Sequence, residues 1–206
     1  MDQHDPEADG IPIHWARSYD LGTQLLLFGR SRKFRQKLLD LALLKSGEGF
    51  LDVGCGPGRL VLAACHRVGP LGIACGADIS PQMIKLARRK AVKSCPAAEF
   101  VQAPGQSLPF DTGYFDAVAT VFVVHHLRGD HEKVRAFEEM RRVTRKKGRV
   151  LIVDFKAGGG SGPFARHMAD GDINRYPYLL KEAGFGEVDT GELMMGMVRF
   201  VRAYAD

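Results

Sequence analysis

Between residues 49 and 155 short apolar runs alternate with stretches of helical periodicity, and few folds accommodate that alternation. Residues 49–54, 71–77, 99–103, 114–124 and 148–155 read as strands, each too short for a helix and bounded by Gly, Pro, Ser or Asp. Between the first two, Leu60, Val61, Ala64 and Val68 recur at helical spacing over residues 57–68. Ser80 and Pro81 read as the N-cap and first residue of a second helix, with Met83, Ile84 and Ala87 turned inward. Residues 131–146 form a third, with Val134, Phe137, Met140 and Val143 along its stripe. Such an order predicts βαβ units on a parallel sheet. Strands that are apolar almost throughout predict helices on both faces of it. Beyond the flexible stretch Gly158-Gly-Gly-Ser-Gly162 come a helix near residues 174–183 and strands at 186–192 and 195–204, close enough to pair antiparallel. The whole reads as an α/β, doubly wound, Rossmann-like sheet.

The chain has 206 residues, 45% hydrophobic and 26% charged, enough for one folded domain and too apolar for a disordered chain. Residues 1–13 read as a flexible tail. Residues 14–45 read as a helical lid with an apolar stripe through Leu25, Leu26, Phe28, Leu38, Leu39 and Leu41, and residues 46–206 as the main domain. No run approaches the roughly 18 apolar residues of a membrane span. The first ten residues hold four acids (Asp2, Asp5, Glu7, Asp9) and no apolar core, which argues against a secretory signal. Cys55, Cys65, Cys75 and Cys95 form no CxxC pair and read as four reduced thiols, an expectation that points to the cytoplasm.

The net charge is +5, from 29 Lys and Arg against 24 Asp and Glu. The cations gather at Arg30–Lys37, Lys85–Lys93 and Arg141–Arg149. The second and third clusters lie near helix ends, where cations complement the helix dipole. The first is undiluted by acids and could face an anionic surface.

The first strand runs into Asp52-Val-Gly54-Cys-Gly56-Pro-Gly58. Glycines at a strand-to-helix turn permit positive φ and let a ligand approach the main chain. A dinucleotide fingerprint needs glycine at position 59, which is Arg, and no Gly-Lys-Ser/Thr follows to make a P-loop. Twenty residues after Gly58, Asp78 ends the second strand, where a carboxylate can accept both ribose hydroxyls. Loop, acids and context together predict a ligand that contains a nucleoside.

Leu51-Asp-Val-Gly-Cys-Gly-Pro-Gly58, Ala77-Asp-Ile-Ser80, Leu108-Pro-Phe110 followed by Phe115-Asp-Ala-Val118, and Glu139-Met-Arg-Arg-Val143 before Gly148 resemble class I S-adenosylmethionine-dependent methyltransferases, nearest the ubiquinone and menaquinone methyltransferase group. The resemblance implies seven strands with the last antiparallel, S-adenosylmethionine as cofactor and S-adenosylhomocysteine as product. It places Gly54, Cys55, Gly56 and Gly58 along the methionine moiety, Asp52 at its amine, Asp78 on the ribose, and Ile79 and Met83 on the adenine. Tyr19, in Ala16-Arg-Ser-Tyr-Asp20, is similar to a tyrosine that closes over the cofactor, and Thr120 on the fourth strand completes the set. The family has an acid where this chain has Pro104, which offers neither a carboxylate nor an N–H. Adenine recognition then falls to Gly105 and Gln106.

The resemblance implies methyl transfer, which needs alignment and, where the acceptor must lose a proton, a base. Val124-His125-His126-Leu127 sits at the end of the fourth strand, where active sites of open α/β sheets lie. Successive strand residues face opposite ways, so one histidine is expected to meet the pocket, and the family pattern favours His126 over His125. No third ligand lies near the pair, so no metal is expected. The expected acceptor is a small aromatic or lipid-like molecule, with room for contact at a membrane surface. No cysteine follows Cys95, which disfavours a thiol-based arsenite methyltransferase. RNA or protein methylation through the basic clusters, and a non-catalytic module of the same fold, are the competing readings. A single Trp15 and no recognition extension disfavour nucleic acid.

Overall fold

The computed structural model describes residues 31–156, 172–193, 196 and 198–206. Tyr19, the tail, the first part of the expected lid and the glycine-rich stretch after residue 157 lie outside them. Seven strands form one sheet: β1 (Gly49–Val53), β2 (Ile73–Asp78), β3 (Glu99–Gln102), β4 (Phe115–Val121), β5 (Thr144–Phe155), β6 (Val188–Leu193) and β7 (Val198–Tyr204). Their order is β3-β2-β1-β4-β5-β7-β6. The first five are mutually parallel, and β7 lies antiparallel between β5 and β6. The doubly wound sheet with its last strand antiparallel is as expected.

Alternation along the strands sorts the core into two layers. Leu51, Val53, Val118, Val150 and Ile152 meet α4 (Gly129–Val143) and α5 (Tyr176–Glu182) on one face, through Val134, Phe137, Met140, Leu179 and Leu180. Phe50, Ala74, Ala117, Ala119, Leu151 and Val153 meet α1 (Ser31–Leu41), α2 (Arg59–Val68) and α3 (Pro81–Ser94) on the other. Ser80 caps α3 as its sequence predicts, its hydroxyl accepting from Met83 N at 3.3 Å. Leu38 and Leu39 of α1 are buried in this second layer, while Arg32, Lys33, Lys37 and Asp40 of the same helix are exposed.

Arg149 fastens α1 to the sheet. Only 8% exposed, it donates to the carbonyls of Ala42 (2.7 Å), Leu43 (2.7 Å) and Asp116 (3.2 Å) and to both oxygens of Glu48. Arg202 adds a bond to the Leu41 carbonyl at 3.0 Å.

Three expectations need correction. The helix expected to run to residue 146 stops at Val143, because the Thr144 hydroxyl takes the Met140 carbonyl at 2.6 Å and the chain enters β5 four residues early. The strand expected to reach residue 124 ends at Val121. Phe122 adopts a left-handed φ of 58°, and Val124–His126 form a 3-10 turn. Cys65 and Cys95, at the ends of the adjacent helices α2 and α3, are joined as a disulfide with Cα atoms 6.5 Å apart. Only Cys55 and Cys75 are free, both buried. No described helix is long and apolar enough to cross a membrane.

Candidate cofactor and active site

The carboxyl ends of β1 and β2 bring the glycine loop against Asp78. Gly54 N and Cys55 N both donate to the Ala77 carbonyl, at 2.8 and 3.0 Å, which pins the loop to β2. Gly54 has φ 75°, and a Cβ on it would stand 2.3 Å from a Val123 methyl. A Cβ on Gly56 would meet nothing within 4 Å, so the loop is open there to an approaching molecule. Gly58 caps α2 in the left-handed conformation.

Asp78 accepts from Gly56 N at 2.7 Å and from Ser80 N at 2.9 Å. Burial raises its pKa, and those two bonds oppose the rise. Asp52, 4% exposed, is pushed well up by burial and then by the Asp78 charge. Two buried acids with raised pKa form a site that gains from a cation and from hydroxyl donors. An ammonium–sulfonium nucleoside has both, so these residues fit S-adenosylmethionine. The sign of the coupling follows. Carboxyls with raised pKa are part-protonated where ordinary ones are ionised, and a cation binds the ionised form. S-adenosylmethionine binding should therefore release protons, and affinity should rise with pH until both acids ionise. Calorimetry in two buffers of different ionisation enthalpy should register that release; identical heats in both would contradict it. In the free protein the same shifts cost stability as pH climbs from the unfolded carboxylate value through the raised folded ones.

The other expected residues are distributed unevenly. Ile79 is 70% exposed at the rim, whereas Met83 is buried beneath the Ser80 cap. Cys55 turns its thiol into the core against Gly76, where burial and then Asp52 and Asp78 push its pKa far up, so only its main chain can face a ligand. Gly105 and Gln106 lie half-buried in a turn closed by Ser107 N on the Pro104 carbonyl (3.1 Å). That turn is braced by α4: Glu139 accepts from Leu108 N at 2.8 Å, and Arg142 donates to the Leu108 and Phe110 carbonyls at 2.8 Å each. Thr120 is enclosed within the sheet, its hydroxyl without a partner.

The histidines do not face opposite ways. They share the 3-10 turn, with ring centroids 4.0 Å apart; His125 is buried and His126 exposed. Asp154, near the end of β5, holds His125 twice, through Nδ1 at 2.7 Å and the backbone N–H at 3.1 Å, and Tyr176 donates its hydroxyl to the same carboxylate at 3.2 Å. Sequence reasoning missed Asp154 and Tyr176. An acid at the end of the apolar run of residues 150–155 was the available signal. Beside this cluster Phe122 stacks on Phe155 (4.6 Å, 26°) and more loosely under Phe34 (6.3 Å, 10°). Among the described residues no group of His, Cys, Asp and Glu could hold a metal.

Known proteins share these features. The family profile described as "Methyltransferase domain" matches residues 51–152. A demethylmenaquinone methyltransferase from Thermus thermophilus is 34% identical across 80% of this chain and 79% of its own. A ubiquinone/menaquinone biosynthesis C-methyltransferase from Salmonella paratyphi B is 29% identical across 92% of this chain and 86% of its own. Among solved structures, a SAM-dependent methyltransferase from Aquifex aeolicus superposes with a TM-score of 0.77 at 23% identity, covering 95% of this chain and 100% of that one, a likeness of fold. Strand order, glycine loop and paired acids thus belong to a class I S-adenosylmethionine-dependent methyltransferase. Within that class the chain belongs to the ubiquinone and menaquinone methyltransferase-like family.

Proposed function

We propose that this methyltransferase acts on a small aromatic or lipid-like acceptor, of the hydroxylated-ring kind that the quinone methyltransferases handle. The observation that carries the reading is the aromatic wall of Phe34, Phe122 and Phe155 at the carboxyl edge of β4 and β5, beside His125. Rings there give a planar acceptor stacking surface. The basic clusters, which would favour RNA or protein, are partly used up inside the molecule. Arg88 binds the Phe100 carbonyl, Arg142 binds Glu139, Arg145 pairs with Asp116, and Arg149 holds Glu48.

When bound, S-adenosylmethionine supplies a methyl group on a positively charged sulfur, which leaves with the electron pair of the broken C–S bond. Asp52 would hold the ammonium, Asp78 the ribose, and the main chain of residues 54–58 would line the methionine portion. Ile79, with Met83 beneath it, would cover one face of the adenine, and the turn at Gly105 and Gln106 would read its edge.

Turnover of labelled S-adenosylmethionine with a short-chain prenylated 1,4-naphthoquinol, set against simple amines and total RNA, tests the acceptor class. Preference for RNA or amines would overturn it. Asp78→Ala should weaken S-adenosylmethionine binding by about 1.5–3 kcal/mol, the scale of hydrogen bonds to a charged group. Unchanged affinity by calorimetry would remove Asp78 from the ribose.

A further inference from the structure

The turn that follows β3 starts with a residue that has little to offer a purine. Pro104 has no N–H, and its carbonyl accepts from Ser107 N at 3.1 Å. The main chain of Gly105 and Gln106 comes next, and its position is set from both ends. Upstream, Ala103 N donates to the Asp78 carbonyl at 3.1 Å, and Gln102 Nε2 donates to the Ile79 carbonyl at 3.3 Å. A Cβ on Gly105 would stand 3.2 Å from a methyl of Val53, the residue that leads into the glycine loop. The turn therefore lies at the carboxyl ends of β1 and β2, between Asp78 and the glycine loop.

Downstream, a single turn of α4 clamps the chain. Glu139 accepts from Leu108 N at 2.8 Å, and Arg142 donates to the Leu108 and Phe110 carbonyls at 2.8 Å each. Arg142 also donates to both Glu139 oxygens, at 2.7 and 2.9 Å, so the fork and the carboxylate fix each other. The bond from Arg142 holds the Glu139 carboxyl below its ordinary pKa against the opposing effect of burial, which keeps the pair ionised at neutral pH. Helix α4 is already docked on the sheet by Val134, Phe137, Met140 and Val143. The three bonds to residues 108–110 thus hold the turn to the helix, beyond holding the helix to the core.

We propose that Glu139 and Arg142 are positioning residues for adenine recognition, clamping residues 108–110 so that the main chain of Gly105 and Gln106 presents one fixed order of carbonyl and N–H to the purine edge. This rests on the reading that the turn faces the adenine of S-adenosylmethionine. Adenine offers an amino donor beside the N1 acceptor. Hypoxanthine reverses the pair, with a carbonyl acceptor beside an N1–H donor. A rigid main chain matches one order only, because its N–H always donates and its C=O always accepts. A main chain free to shift can satisfy either. The clamp stands in for the acid absent at position 104, selecting by placement where a carboxylate would select by charge.

Calorimetry on the full chain with S-adenosylhomocysteine and with its 6-oxo analogue, S-inosylhomocysteine, tests this. The wild type should prefer the adenine form by roughly 5–150-fold, the range spanned by one paired hydrogen-bonding edge. Arg142→Met, which keeps much of the side-chain stem, should cut that preference by roughly tenfold or to none, by weakening the adenine form and sparing the analogue. Amide exchange at Leu108 should quicken in the same variant, showing that the clamp has opened. Glu139→Gln should move the selectivity in the same direction and carries the test if Arg142→Met does not fold. A merely structural role would weaken both ligands by one common factor. That result, or full wild-type selectivity in the folded variant, would overturn the proposal while leaving the adenine reading in place. A wild type that binds both ligands equally would overturn the adenine reading and the proposal with it.

Discussion

Arg149→Met should lower the unfolding free energy by about 3 kcal/mol, the low end of what removing one partner of a buried ion pair costs. Glu48 would keep only its bond from Lys45 N and lose its cation, and the carbonyls of Ala42, Leu43 and Asp116 would lose the guanidinium donors. Methionine fills much of the arginine stem's volume, so the loss measures polar contacts more than a cavity. Burial pushes the Glu48 pKa up, but its hydrogen bonds from Arg149 and Lys45 outweigh burial and hold it below the ordinary value. The stability this contributes is present above the unfolded carboxylate pKa and drains away as pH falls through the folded one. Urea melts of wild type and variant should therefore differ most near neutral pH and converge in acid. A variant that melts like the wild type at pH 7 would show that the connection from α1 to β1 is held by its apolar contacts alone.

Gly54→Ala should cost more at the site than anywhere else in the loop. A left-handed φ of 75° strains any residue with a Cβ, by roughly 1–3 kcal/mol. The new Cβ would also sit 2.3 Å from a Val123 methyl, an overlap in a packed region worth about 1–3 kcal/mol. The sum, about 2–6 kcal/mol, should appear as a lower melting temperature and as loss of S-adenosylmethionine binding, because the loop can relieve the clash only by moving off the Ala77 carbonyl. Val123→Ala in the same chain should restore the packing part and leave the backbone part. If the double variant is no more stable than Gly54→Ala, the clash is not the cause.

The glycine loop and Asp78 are local in sequence, and their meeting is legible there. Residues 52–58 are one turn, and Asp78 closes the next strand of the same βαβ unit, so spacing alone brings them together. The cluster around Asp154 is assembled from residues far apart in the chain. His125 is 29 residues from Asp154, and Tyr176 a further 22 away, so no pattern joins them. The aim of the histidines was hidden more deeply. The apolar run of residues 114–124 looks like uninterrupted strand, and nothing in its composition announces the left-handed turn at Phe122, which the stack with Phe155 accompanies. The Cys65–Cys95 link was equally invisible, because 30 residues separate two cysteines that meet only once α2 and α3 lie side by side. The brace between α4 and the turn at Leu108 gives the physical content of two motifs that look independent in sequence, Leu108-Pro-Phe110 and Glu139-Met-Arg-Arg142.

The placement of β7 between β5 and β6 bears on how the chain is made. β5 ends at Phe155 and its antiparallel neighbour begins at Val198, so 42 residues must be translated between them. At ordinary synthesis rates that takes roughly 2–9 seconds. During that interval β1 to β5 can already pair, while the outer edge of β5, with the apolar sequence Val150-Leu-Ile-Val153, waits for its neighbour. An open edge of that composition invites pairing with another nascent chain. The folding yield should then depend on elongation speed across residues 156–204 more than on the final stability of the finished sheet.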